Sequence, residues 1–469
     1  MDSQHPGTPV PPTRDRLAGI LTAMEAGLVE RRPTVRLALL AALAGEHTLL
    51  IGPPGTAKSQ LARRLHLAFR EARYFERLLT RYTVPEELFG PLSISALEDD
   101  RYERQTAGFL PQASIAFIDE VFKANSAILN ALLTLLNERE FDNGPRREPC
   151  PLISVIGATN EVPEDEVGEA FFDRFLVRLP VAPVSAQGFR RLLELDARQL
   201  PGPVEALQES DREAISLAAR EVQVTEEVAG LLAELRAWLA SQQMYVSDRR
   251  WVKITWLLKV AAATEGRGAL SAWDLWPLPW CTAPDAARQA SVAAWLGGRL
   301  GLREAMSPPR LTRVVEAFEA QAEIEQVADD LDYDESGRLR FDAGVSDRVV
   351  DAKGGASAMR MSSARRRRYG QTHVGARLRQ VDELTQRIDD YLRELSARRA
   401  DLAAYRARSV WVDEEFARRA EEALSATVEA VRALGQRAVR ARDRFEALPR
   451  LPADPGTAPS PIEHEPLAT

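Results

Sequence analysis

The sequence predicts an α/β protein with a parallel sheet, continued by an all-helical half. Two observations carry this. Between residues 13 and 180 short apolar runs alternate with helix-patterned stretches, as expected for strands joined by crossover helices and covered on both faces. From Ser185 onward only the helical period recurs, and it ends in two long apolar stripes.

The elements follow in order. Residues 1–12 hold Pro6, Pro9, Pro11 and Pro12 and read as a disordered leader. His47–Ile51 is an apolar run of strand length, and a helix is expected over Ser59–Ala72. A second strand is expected at Ile115–Ile118, a helix running through Asn137, and a third strand at Leu152–Ile156. Pro180-Val-Ala-Pro183 breaks the alternation, which closes the α/β part at 13–184. Over 185–276 the stripe Val228, Leu231, Leu232, Leu235, Trp238 and Leu239 is helical. Trp276-Pro-Leu-Pro-Trp280 punctuates it, and helices resume at 283–300 and 311–331. Residues 332–372 are dominated by Asp, Gly, Ser and Arg and form a small irregular insert.

A helical hairpin then follows. One arm carries Leu384, Ile388, Tyr391, Leu395 and Leu402, and the other, starting near Trp411, carries Leu424, Val428, Val431, Leu434 and Ala438. With Arg and Glu on the remaining faces, this is bundle patterning and completes a C-terminal stalk at 277–448. The proline-rich tail 449–469 is expected to be disordered.

Composition narrows the function classes. The 469 residues suit about three domains. Acidic side chains outnumber basic ones, 69 to 61, so the chain as a whole has no electrostatic footprint for coating nucleic acid. The run Arg365–Arg368 is short and reads as a solvated loop before contact with lipid or nucleic acid. Cys150 and Cys281 are far apart, which excludes a disulfide scaffold and fits a reducing cytoplasm. The five histidines form no zinc-ligand pattern. Leu37–Ala44, the most apolar stretch, is far below the ~18–20 residues of a membrane span. The N-terminus lacks the charge-then-apolar order of a signal peptide, so the expectation is a cytoplasmic protein.

The chemistry is concentrated in two places. The first strand runs into Gly52-Pro53-Pro54-Gly55-Thr56-Ala57-Lys58-Ser59-Gln60, where a helix begins. Strand, glycine-bearing loop, Lys-Ser and helix form a P-loop, in which backbone N–H groups and a helix N-terminus wrap phosphate oxygens. Lys58 is placed to neutralise the β- and γ-phosphates of ATP and the Ser59 hydroxyl to ligate magnesium. The usual glycine before the lysine is Ala57 here, tolerable at negative φ but costing ~1 kcal/mol or more at positive φ. The second strand ends in Asp119-Glu120, about 60 residues beyond Lys58. Asp119 is placed to hold the magnesium shell and Glu120 to polarise an attacking water.

The order P-loop, Asp119-Glu120, Ala158-Thr159-Asn160, Phe172-Asp-Arg174-Phe175 is similar to that of AAA+ ATPases. The stretch Arg81-Tyr-Thr83-Val-Pro85-Glu-Glu-Leu88-Phe89-Gly90-Pro91-Leu92-Ser93 resembles the MoxR family, its RavA subgroup in particular. The resemblance implies an AAA+ core, an all-helical lid and a C-terminal helical hairpin or bundle. It further implies Asn160 as sensor 1, Arg174 as an arginine finger for a neighbouring subunit, and Arg249 as sensor 2 in preference to Arg250. Arg139 and Arg178 are lesser finger candidates. Ser93–Leu110 fits a hairpin inserted in the second helix, and Phe141-Asp-Asn143-Gly144-Pro145 fits the hairpin before sensor 1.

The resemblance also implies a ring, most often a hexamer, working as a chaperone-like motor on a client protein with a partner that carries a von Willebrand factor A (vWA) domain. Two alternatives stay open, a nucleic-acid-dependent motor and a nucleotide-gated scaffold with little turnover.

Overall fold

The computed structural model describes residues 11–162, 166–195, 205–300, 302, 304–328 and 366–467. The expected leader up to residue 10 and most of the insert at 332–372, Arg365 included, lie outside the described residues. The chain divides into two compact units, 1–300 with 404–418, and 301–403 with 419–469.

The first unit opens with α1 (Arg14–Glu25) and α2 (Arg32–Leu43). Its sheet is built from β1 (His47–Ile51), β2 (Tyr74–Leu78), β3 (Ile115–Asp119), β6 (Ser154–Thr159) and β7 (Phe175–Pro180). Its strand order is β2-β3-β6-β1-β7, and every pairing is parallel. Strands β1, β3 and β6 are buried almost throughout, as a sheet covered on both faces requires. They match the three expected runs. Strands β2 and β7 were not anticipated. Tyr74-Phe-Glu-Arg-Leu78 is an edge strand with polar residues among the apolar ones, and Phe175–Pro180 directly follows the Asp-Arg motif.

Helix α3 (Lys58–Leu67) follows the P-loop and is shorter than the 59–72 expected. The region expected to form a hairpin over Ser93–Leu110 differs. After the short helix α4 (Pro85–Phe89), one further short helix, α5 (Ile94–Glu98), occupies its start, and one isolated antiparallel bridge joins Leu92 to Arg104. Ser93 explains the difference, because its side chain caps Ala96 N–H and starts a helical turn where the alternation reads as strand.

Helix α6 (Ser126–Glu138) leads into the hairpin β4 (Glu140–Asn143) and β5 (Arg146–Pro149), as anticipated. Asn143 pairs with Arg146, so the two turn residues are Gly144 and Pro145 rather than Asn143 and Gly144. The Asn143 side chain instead accepts from Arg104 N–H at 2.7 Å, tying the hairpin to the preceding insert.

Helix α7 (Glu166–Phe172) precedes β7, and the helical part holds α8 (Ala186–Leu193), α9 (Glu209–Glu221), α10 (Glu226–Ser241), α11 (Asp248–Thr264), α12 (Leu278–Thr282) and α13 (Ala286–Gly297). Compactness continues to Leu300, beyond the boundary at 276, because α12 packs on β7 and α13 on α12. Residues 404–418 also belong to this unit. There the Trp411 indole donates to Thr264 Oγ1 at 2.8 Å, the Tyr405 hydroxyl donates to Asp274 at 3.0 Å, and Arg36 donates to Val412 O at 3.2 Å.

The second unit contains α14 (Pro308–Val327) and most of two long helices, α15 (Gln371–Arg408) and α16 (Glu414–Glu446). The expected stripes are buried, from Leu384 to Leu402 on one helix and Leu424 to Ala438 on the other. Glu325 accepts from Arg377 at 2.9 Å, and Arg437 pairs with Glu319 at 2.6 Å. The tail expected to be disordered runs extended within this unit. Arg377 holds Ser460 O at 2.7 Å, Arg313 pairs with Glu465 at 2.9 Å, and Leu467 is buried. Its prolines forbid helix without forbidding a tethered extended course.

Candidate nucleotide site

Because β6 lies between β1 and β3, three adjacent strand ends converge at one edge of the sheet. Ligands of open α/β sheets bind at such C-terminal edges. The end of β1 delivers the P-loop, β3 delivers Asp119 and Glu120, and β6 delivers Asn160.

The loop's shape follows from its residues. Gly52 N–H donates to Thr159 O at 2.9 Å, and a Cβ on Gly52 would lie 2.2 Å from Val181 O, so only glycine fits. Gly55 has φ +80° and Ala57 φ +66°. Ala57 therefore occupies the left-handed region, the strained alternative of the two open to it, at a cost of about 1 kcal/mol. Thr56 Oγ1 donates to Pro53 O at 3.0 Å and closes the loop on itself.

Lys58 is buried, and Nζ donates to Gly52 O at 2.7 Å and Pro53 O at 2.9 Å. Burial lowers its pKa, while the charges of Asp119 and Glu120 oppose that shift. Ser59 is half-buried at the start of α3 and Gln60 is exposed, as are Pro53, Pro54 and Gly55.

Glu120 also has a left-handed backbone, φ +51°. Its Oε1 accepts from Asn160 Nδ2 at 2.8 Å and its Oε2 lies 3.3 Å from Lys123 Nζ. Asn160 is itself set by Thr159, whose hydroxyl donates to Glu161 O and accepts from Glu161 N–H. The structure thus brings together Lys58, Ser59, Asp119, Glu120 and Asn160. Lys123 joins them, and its place three residues after Glu120, a spacing at which ion pairs are common, is the signal for it in the sequence.

Neither Arg174 nor Arg249 reaches this edge. Phe175 pairs with His47 at the start of β1, so Arg174 stands at the opposite end of the strands from the P-loop. Helix α11 lies there too, since Lys253 pairs with Glu46 at 2.6 Å and Trp256 donates to Ala44 O at 3.1 Å. The five residues of β1 separate the two ends by roughly 16 Å at ~3.3 Å per residue. Arg174 is half-buried, with its Nε lacking a partner, and burial followed by the nearby Arg249 charge lowers its pKa. Arg249 is exposed and donates to Asn137 Oδ1 at 2.9 Å.

The remaining arginines are structural. Arg250 is buried and donates to Cys281 O, Asp173 O, Phe175 O and Leu176 O at 2.6–3.1 Å. Of the lesser finger candidates, Arg139 is half-buried and Arg178 buried, and both are held within the fold. Arg139 donates to Gly45 O at 2.5 Å and to Leu152 O, and Arg178 lies 4.0 Å over the Phe172 ring.

The donor set fits a magnesium nucleotide. It offers a hydroxyl and a carboxylate as hard oxygen ligands, an ammonium, and a loop that lies open at Gly55, where a Cβ would meet nothing within 4 Å. Fold and site together define a P-loop ATPase of the AAA+ class. Residues 15–219 match the family described as the MoxR domain in the MoxR-vWA-beta-propeller ternary systems, and residues 227–296 match the AAA lid domain. An uncharacterized protein of Methanocaldococcus jannaschii is 43% identical over 262 residues, covering 55% of this chain and 68% of that one. Protein MoxR of Paracoccus denitrificans is 30% identical over 171 residues, 35% of this chain and 50% of MoxR. A solved structure of a candidate ATPase from Cytophaga hutchinsonii, 19% identical, matches 56% of this chain and 84% of its own with TM-score 0.46. The chain belongs to the MoxR family of AAA+ ATPases.

Proposed function

We propose that this chain hydrolyses ATP as one subunit of a ring, most simply a hexamer, and works as a chaperone-like motor on a protein client. The observation that carries the hydrolytic reading is Glu120 held by Asn160 beside the P-loop. Magnesium, when bound by Ser59 and Asp119, would supply positive charge to the transferring phosphoryl group. Lys58 exchanges the Gly52 and Pro53 carbonyls for phosphate oxygens. The P-loop N–H groups orient the phosphates, Asn160 steers Glu120, and Glu120 takes up the proton of the attacking water.

The ring reading rests on Arg174 and Arg249. Each lies a strand's length from its own P-loop, so any phosphate it meets belongs to a neighbouring subunit. A vWA-domain partner is the reading favoured by the family match, whose described systems also include a β-propeller protein. A RavA-like assignment is supported by the helical arms of the second unit, and a cytoplasmic location by the two unpaired, buried cysteines.

The test is ATP turnover against protein concentration, with native mass read alongside, for wild type and Arg174→Ala. A specific rate that rises as the ring assembles, and that the substitution abolishes while ATP still binds, is expected. A rate independent of concentration and of the substitution would return the protein to the nucleotide-gated scaffold. DNA-stimulated turnover would return it to the nucleic-acid motor.

A further inference from the structure

The turn between α1 and α2 joins two parts of the molecule that no recognised motif connects. Arg31 is buried, and each nitrogen of its guanidinium donates to a backbone carbonyl. Nε donates to Thr56 O at 3.3 Å, Nη1 to Glu30 O at 3.0 Å and Nη2 to Ala182 O at 2.6 Å. Glu30, held at φ +56°, accepts from Ser185 N–H at 2.8 Å and from the Ser185 hydroxyl at 2.5 Å. Ser185 Oγ in turn accepts from Gly188 N–H and caps α8. A Cβ on Gly188 would lie 2.4 Å from the Glu30 carboxylate, so the helix start is fitted to that side chain.

Peptide geometry gives the contact with Thr56 its meaning. The Thr56 carbonyl and the Ala57 N–H belong to one planar, trans unit, so they point in opposite directions. An arginine that fixes the carbonyl outward aims the N–H into the loop, toward phosphate. The same peptide precedes Ala57, whose φ of +66° is strained for a residue with a Cβ. Arg31 therefore holds a conformation that Ala57 alone disfavours.

We propose that Glu30 and Arg31 form a relay, in which Arg31 sets the phosphate-facing N–H of Ala57 and Glu30 carries phosphate occupancy to the entrance of α8. Arg31 is thus a positioning residue of the P-loop, acting through the Thr56–Ala57 peptide, and Glu30 is the link to the helical part. The proposal rests on the P-loop reading.

The experiment is a titration with a fluorescent magnesium-ATP analogue, followed by amide hydrogen exchange with and without nucleotide. Full-length wild type, Arg31→Ala, Arg31→Lys, Arg31→Ala with Ala57→Gly, and Glu30→Gln are compared, with Lys58→Ala as control. Arg31→Ala is expected to weaken nucleotide binding about tenfold, the loss of one charge-assisted hydrogen bond at a buried site. Ala57→Gly should recover most of that loss, because glycine needs no help at positive φ, whereas a general folding defect would not respond to it. In Glu30→Gln, nucleotide-dependent protection of residues 182–193 should disappear.

If Arg31→Ala binds as wild type does, or Ala57→Gly restores nothing to a variant of native circular dichroism, the relay is overturned. If Arg31→Ala does not fold, Arg31→Lys binding as wild type overturns it equally. Wild type that binds no better than Lys58→Ala would instead overturn the P-loop reading itself.

Discussion

The side-chain amide of Asn160 donates to the carboxylate of Glu120 at 2.8 Å across the ends of two adjacent strands. The side chains proposed as sensor and base are therefore engaged with each other by the fold alone. The arrangement leaves Glu120 aimed by two partners, Asn160 and Lys123, from opposite oxygens.

Glu120→Gln keeps the shape and removes the base. Turnover should fall about 10²–10⁴-fold while magnesium-ATP binding persists, checked by phosphate release and by nucleotide titration. Asn160→Ala should lower turnover less, since it misaims a base that is still present.

Arg174→Ala should reduce turnover by about 10³-fold or more in the assembled ring, as loss of a finger in trans does. Mixing it with Lys58→Ala subunits supplies the sharper measurement. If finger and P-loop meet across an interface, mixed rings regain activity that neither parent has. No recovery in mixed rings of confirmed composition would place Arg174 outside the reaction.

Ala57→Gly relieves a left-handed alanine. It should stabilise the protein by about 1 kcal/mol in urea unfolding, less the entropy that glycine adds to the unfolded chain. A destabilised variant would mean that the loop does not hold φ +66° in solution.

His47 is buried and its pKa is lowered to about 3, first by burial and then by the Arg139 charge. Its Nδ1 accepts from Val155 N–H, which leaves Nε2 as donor to Leu136 O, a neutral tautomer. The unfolded chain takes up a proton near pH 6.5 and the folded chain does not until about 3. The stability from this neutral residue is thus full above pH 6.5 and declines by ~1.4 kcal/mol per pH unit down to about pH 3. Urea unfolding at pH 7 and pH 5 should differ by roughly 2 kcal/mol from this group, and His47→Gln should remove that share.

The candidate nucleotide site is legible in the sequence because each of its parts is local. Lys58 and Ser59 follow their glycines, and Asp119-Glu120 terminate an apolar run. What was not legible is set by distant pairs. Nothing near Arg31 in sequence announces Thr56 or Ala182, and Arg249 and Arg250 are distinguishable only once α11 lies against β7, burying one and exposing the other. The region at 93–110 misled for a different reason, since a serine cap overrode an alternation that reads as strand. Strand β2 is hard to read because its polar Glu76 is taken up by Arg63 of α3 and by Tyr74 of the strand itself, rather than alternating with solvent.

The many bonds of the Arg250 guanidinium have a mechanical consequence. They rivet the first turn of α11 to Asp173, Phe175 and Leu176, the residues that flank Arg174, and Arg249 sits one position before the rivet. The backbones that carry Arg174 and Arg249 are therefore joined in one block. If the proposed ring forms, any tilt that draws one toward an adjoining subunit draws the other with it, and a gap at the seam would withdraw two positive charges in a single stroke.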